Sequence, residues 1–142
     1  MKTHTNISLI TIFLLLIISC QEKDATPTTA VDDTFDPSTA TLLKQGRLEG
    51  IGHTVSGTAS VYTQNTNGVI LLDPFMSQNG PDLKVYLSED INATKYISLG
   101  KLKSTNGKQS YAVPAGVDLS KYTHVHIWCE AFTVVFGRAE VK

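Results

Sequence analysis

The sequence predicts an all-β fold, an antiparallel β-sandwich or a partly closed barrel of about seven to nine short strands. Two observations carry this. From Val55 onward apolar residues recur at every second position between clusters of Gly, Pro, Asn and Asp, the period of half-buried strands. After Gly46 no stretch spaces its apolar residues three and four apart for the length of a helix that could pack on a sheet.

Taken in order, segment 39–46 is open between a first strand and a single helical turn, and Leu42 and Leu43 favour the strand. Val55, Gly57, Ala59 and Val61 alternate with Ser56, Thr58, Ser60 and Tyr62. Asn65-Thr66-Asn67-Gly68 then turns the chain into Val69 to Leu72, a hairpin signature. Asn79-Gly80-Pro81-Asp82 reads as a structural turn: Gly80 bends the chain, Pro81 fixes φ, and Asp82 opens the next strand. Leu83, Val85 and Leu87 alternate with Lys84, Tyr86 and Ser88. Ile97 and Leu99 flank Ser98, and Asn106-Gly107 separates them from Gln109 to Val113. The final pair is Val125, Ile127 and Cys129, then Phe132, Val134 and Phe136.

The N-terminus carries an address. Lys2 precedes an apolar run from Ile7 to Ile18 broken only by Ser8 and Thr11. These 12 residues are too few for a permanent span of a hydrocarbon layer, which needs about 20. Residues 1–19 therefore read as a cleavable export signal. Ile17-Ile18-Ser19-Cys20 resembles a bacterial lipobox, which implies that Cys20 becomes the acylated first residue, held to a membrane by acyl chains worth about 0.8 kcal/mol per buried methylene. Gln21 stands where an Asp commonly retains lipoproteins at the inner membrane, so the expected residence is the outer membrane of the bacterial envelope. From Gln21 to Ser38 the chain is rich in Thr, Asp, Ala and Pro without apolar periodicity, and segment 20–38 reads as a lipidated Cys and flexible tether. Residues 39–142 are then one folded domain, about 105 residues, enough for a single modest core.

Composition excludes some partners. The 142-residue chain has 12 basic and 13 acidic side chains, and loss of the signal removes one Lys and no acid, leaving a formal charge of −2. No basic patch offers itself to nucleic acid. There is also no Gly-x-Ser-x-Gly turn, no His-Glu-x-x-His pair and no clustered carboxylates, so hydrolase or transferase chemistry has no motif here.

With Cys20 committed to lipid, Cys129 is the remaining thiol, and an extracytoplasmic thiol without a partner needs shielding or a task. In a regular strand His124, His126 and Trp128 share one face while Val125, Ile127 and Cys129 share the other, so sulfur and imidazoles do not meet. One account makes Cys129 a small buried hydrophobe with the two His and the Trp on a partly solvated surface. The other gives it a redox or ligand role. Lys121 is the one nearby cation within eight residues, too little to stabilise a reactive thiolate locally. Cys129, His53, His124, His126 and Met76 are blue-copper ligand types, yet Glu130-Ala131-Phe132-Thr133 lacks the His and Met such sites place just after the Cys. Thiolate-held haem is chemically allowed and, with no Cys-x-x-Cys-His motif, would be non-covalent.

His53 with Gly57-Thr58-Ala59, Leu72-Asp73-Pro74-Phe75, Asn79-Gly80-Pro81-Asp82-Leu83-Lys84-Val85-Tyr86-Leu87-Ser88, Leu99-Gly100-Lys101-Leu102-Lys103, and Tyr122 through Ile127-Trp128-Cys129 with Phe132 and Phe136 together resemble the DM-thirteen domain, also called the electron-transfer DM domain, across residues 42–142. The resemblance implies a β-sandwich related to haem- and sugar-binding extracellular domains. It also implies a characteristic cysteine, matching Cys129, acting in redox chemistry as a bare thiol or through a prosthetic group, with Trp128 shaping its surroundings. Recognition of an envelope glycan or protein through loops at one end of the sandwich, which Trp128, Tyr62 and Tyr86 lining one concave surface would favour, and a purely structural spacer are the competing expectations.

Overall fold

The computed structural model describes residues 25–142; the expected signal segment and Cys20, the expected site of lipidation, lie outside the described residues. The chain is all-β, with strands β1 (Val31–Asp32), β2 (Thr41–Gly50), β3 (Val55–Gln64), β4 (Asn67–Ser77), β5 (Leu83–Ser88), β6 (Tyr96–Lys101), β7 (Gly107–Ala112), β8 (His124–Cys129) and β9 (Val134–Glu140). They form one sheet in the order β1-β7-β4-β3-β2-β9-β8-β5-β6, curled into a half-barrel, so the partly closed barrel is the realised architecture. Every pairing is antiparallel except β1 on β7.

Alternation builds the elements. In β5 and β8 the inward residues Leu83, Val85, Leu87, Val125, Ile127 and Cys129 are all buried to 1 % exposure or less. Leu48, Val61, Ile70 and Leu72 complete the same core from β2, β3 and β4. Each such side chain contributes about 1.5–3 kcal/mol on burial. Segment 39–46 resolves as the start of β2, and β3 joins β4 through the two-residue turn Asn65-Thr66, with Asn65 at φ 53°.

Curling needs close backbone approach. A β-bulge between Gly57 and Ala59 bends β3 against β4, and Gly57 at φ 130° supplies a conformation that side-chain-bearing residues resist. At Gly46 the carbonyl of Glu140 lies only 1.9 Å from where a Cβ would stand, so β2 and β9 meet there because position 46 has no side chain.

Two expectations are corrected. Phe132 is in the turn between β8 and β9, 69 % exposed, and does not open the last strand. Residues 25–38, expected to belong to a flexible tether, lie against the domain. Ala25 bridges Pro81, Thr105 N–H donates to the Pro27 carbonyl at 2.8 Å, and Ser104 Oγ donates to Thr29 O at 2.7 Å. The Asp33 carboxylate accepts from Ser110 N at 2.9 Å, Ser110 Oγ at 2.8 Å and Lys103 Nζ at 2.9 Å. Burial alone would raise the Asp33 pKa, but these donors and Phe35 N–H outweigh it and hold the carboxyl well below its usual range. Backbone pairing and one carboxylate anchor this segment, which is why apolar periodicity gives no sign of it.

Candidate functional site

β5 and β8 run side by side in unbroken register, Leu83 opposite Cys129, Lys84 opposite Trp128 and Tyr86 opposite His126. The pleat therefore sends Cys129 inward while Lys84, Tyr86, His124, His126 and Trp128 project from the other face. Sulfur and imidazoles are separated by the sheet, as the alternation predicts.

Cys129 is fully buried, free, and donates from Sγ to the Pro81 carbonyl at 3.0 Å. One turn of backbone, Asn79 to Asp82, covers it. Trp128, expected to shape the surroundings of this thiol, points to the opposite face. A haem held by Cys129 does not fit this arrangement, because the sulfur sits in the aliphatic core with its proton committed to a carbonyl. The copper-type donors are likewise dispersed. His53 stacks on Phe136 at 3.7 Å, Met76 is 52 % exposed on β4, and no group of three or more His, Cys, Asp or Glu suited to a metal exists among the described residues.

The outer face is less solvated than its alternation suggests. His126 has zero exposure, because the segment from Glu89 to Lys95 folds across it. Ser88 Oγ gives its single proton to Asp90 O at 2.7 Å and so accepts from His126 Nε2 at 2.8 Å. That assignment leaves Nδ1 bare, buried and without a partner. Burial, with His124 and Arg138 close by, pushes the His126 pKa down to about 4. Burial also lowers His124, whose Nδ1 is 2.8 Å from Thr123 Oγ1. Arg138 Nη1 holds the covering segment through Ile91 O at 3.3 Å.

Beside this segment stands an aromatic stack. Tyr96 and Tyr86 lie with centroids 4.2 Å apart and planes 17° apart, and Tyr86 continues to Trp128 at 5.6 Å and 21°. Tyr86 is 3 % exposed, and its hydroxyl donates to the Glu130 carboxylate. Burial, then the Glu130 carboxylate, hold the Tyr86 phenol well above its usual range. Lys84 Nζ bridges Asp82 at 3.2 Å and Glu130 at 3.7 Å, so the cation the fold recruits serves the outer face and not the sulfur. A cleft of about 390 Å³ is lined by Tyr86, Tyr96, Trp128 and Glu130, and another of about 480 Å³ by Ile51, His53, Ile91, Trp128 and Arg138. Tyr62 is elsewhere, edge-on to Phe35 at 5.5 Å.

The sequence reading placed no role on Glu130 or Tyr96 and expected His126 to be partly solvated. Tyr86 and Glu130 are 44 residues apart, and only the pairing of β5 with β8 joins them.

The family described as electron transfer DM13 matches residues 47–141. No curated protein and no solved structure matches the chain.

Proposed function

Since the chain belongs to the electron transfer DM13 family, we propose that it is an electron-transfer module of the bacterial cell envelope, lipid-anchored at Cys20 to the outer membrane, with Cys129 as its redox-active side chain. The family match across β3 to β9 and the last four residues of β2 carries the electron-transfer reading. Two features support Cys129. It is the free thiol of the described residues, and its burial prevents disulfide formation between chains in an oxidising compartment. The exchange is loss of one electron and the sulfhydryl proton, the electron passing to a one-electron, metal-centred acceptor on a partner and the proton to solvent as the turn at Pro81 that accepts the Sγ–H bond opens.

The test combines two measurements on the full chain. Metabolic labelling with a fatty acid should mark the wild type and not Cys20→Ala. Exposure to an outer-sphere ruthenium(III) oxidant in air, followed by thiol titration after unfolding, should show a loss of Cys129 thiol, because dioxygen traps the sulfur radical that is not re-reduced. An unchanged titre removes Cys129 from the mechanism.

The second reading is recognition of a glycan or envelope protein, favoured by the two clefts that flank Trp128. Against it, both neighbouring rings already occupy the faces of Tyr86. Trp128→Ala should abolish binding to isolated envelope glycans if this reading holds, and leave electron exchange at Cys129 intact.

A further inference from the structure

We propose that Tyr86 is a one-electron redox residue in its own right, oxidised through the exposed ring of Tyr96 while Glu130 accepts its phenolic proton. The inference rests on the electron-transfer reading above and assigns that reading a route that the sulfur does not supply.

Three observations converge on it. Tyr96 is 49 % exposed and Tyr86 3 % exposed, so the stack runs from solvent to a dry ring in one step of 4.2 Å between centroids. Overlapping π-systems in contact couple electronically far better than saturated side chains over the same span. Beyond Tyr86 the stack reaches Trp128, the residue bonded to Cys129.

The proton has a matching place to go. A phenol that loses an electron becomes a strong acid and is stable only if a base takes the proton at once. Glu130 is already hydrogen-bonded to the Tyr86 hydroxyl, is 39 % exposed at its side chain, and so can exchange protons with water. Lys84, 3.7 Å from the other Glu130 oxygen, holds the carboxylate in place beside the hydroxyl, and Asp82 at 3.2 Å remains its partner when Glu130 becomes neutral. Because the buried phenol resists ionisation, phenolate does not form first, and electron and proton leave together.

The balance is simple. The Tyr86 O–H bond breaks and an O–H bond forms on Glu130; one electron crosses Tyr96 to a metal-centred, outer-sphere oxidant, which is reduced by one. The neutral tyrosyl radical then takes an electron from a one-electron, metal-centred donor on a partner, which is oxidised by one, and Glu130 returns the proton.

The experiment is flash oxidation of the full chain in detergent with photogenerated ruthenium(III) polypyridyl, following the tyrosyl radical by transient absorption and electron paramagnetic resonance. The expected result is a neutral tyrosyl radical that Tyr86→Phe removes. Glu130→Gln should slow its formation at least about a hundredfold, the lower end of what a positioned proton acceptor contributes. Tyr96→Ala should lower its yield. A radical undiminished in Tyr86→Phe, or formed at the wild-type rate in Glu130→Gln, overturns the proposal. Should Tyr86→Phe fail to fold, Glu130→Gln and Tyr96→Ala decide by the same readouts. Thiol titration after the same oxidation in air, where dioxygen traps a sulfur radical, separates the two readings: radical without thiol loss removes Cys129 and keeps Tyr86, and thiol loss without a Tyr86 radical does the reverse.

Discussion

Cys129 and Trp128 are joined by one peptide bond and lie on opposite faces of the sheet, the sulfur sealed beneath Pro81 and the indole between two clefts. A change at one should therefore leave the other's environment nearly untouched.

The thiol should be kinetically protected. A thiol-specific reagent is expected to label folded chain only as fast as the β8 region opens, and rapidly in denaturant. Cys129→Ala should cost about 1–2 kcal/mol, the range for loss of one buried group with partial collapse of the space. Immediate stoichiometric labelling under native conditions would contradict the burial.

Stability should fall with acid through His126. Its pKa is about 4 in the folded chain against 6.5 ordinarily. Between those values the unfolded chain binds more protons, so stability is complete above 6.5 and is lost as the pH drops toward about 4. The total is on the order of 3 kcal/mol at full effect. Urea midpoints at pH 8 and pH 5 measure it, and His126→Gln should flatten the difference; an equal slope in that variant would assign the acid sensitivity elsewhere.

Asp33 should govern the N-terminal segment. Asp33→Asn weakens charge-assisted bonds to Lys103 and Ser110, at a cost of about 1–3 kcal/mol. Because its folded pKa lies below the ordinary 3.8, the contribution is present above that value and lost at more acidic pH. Limited proteolysis should cut within residues 25–38 of this variant before any cut in the wild type.

Gly46→Ala should disrupt the apposition of β2 and β9. The new methyl would stand 1.9 Å from the Glu140 carbonyl, backbone that can yield only by moving the strand. A loss of about 1–3 kcal/mol is expected from denaturant unfolding, the range for forced overpacking.

How much of this was legible varies with the kind of interaction. Period-two alternation located β3, β5, β6 and β8 and assigned Cys129 to the buried face, because a half-buried strand writes its burial into every second residue. The same rule misjudged His126. A polar segment from Glu89 to Lys95 covers it, folded around the Asp90 carboxylate, which accepts from Asn92 N, Thr94 N and Lys95 N, and tied to the sheet through the Asp90 and Ile91 carbonyls; local alternation carries no sign of where such a loop lies. The docking of residues 25–38 was hidden for the same reason: its bonds to Thr105, Ser104 and Gly107 run through main chain. The Tyr86–Glu130 contact depended on which strands pair, which local pattern leaves open.

The clamp at Ala25 and Pro81 has a geometric result. If Cys20 carries acyl groups as proposed, five residue steps separate it from Ala25, which allow about 17 Å at most. Pro81 accepts the Cys129 bond, and Asp82 O accepts from Glu130 N–H at 3.1 Å, so the end of the half-barrel that houses thiol and carboxylate is the end to which Ala25 is joined. Under that proposal one pole would stay toward the bilayer, and an electron partner restricted to that leaflet would find it already oriented.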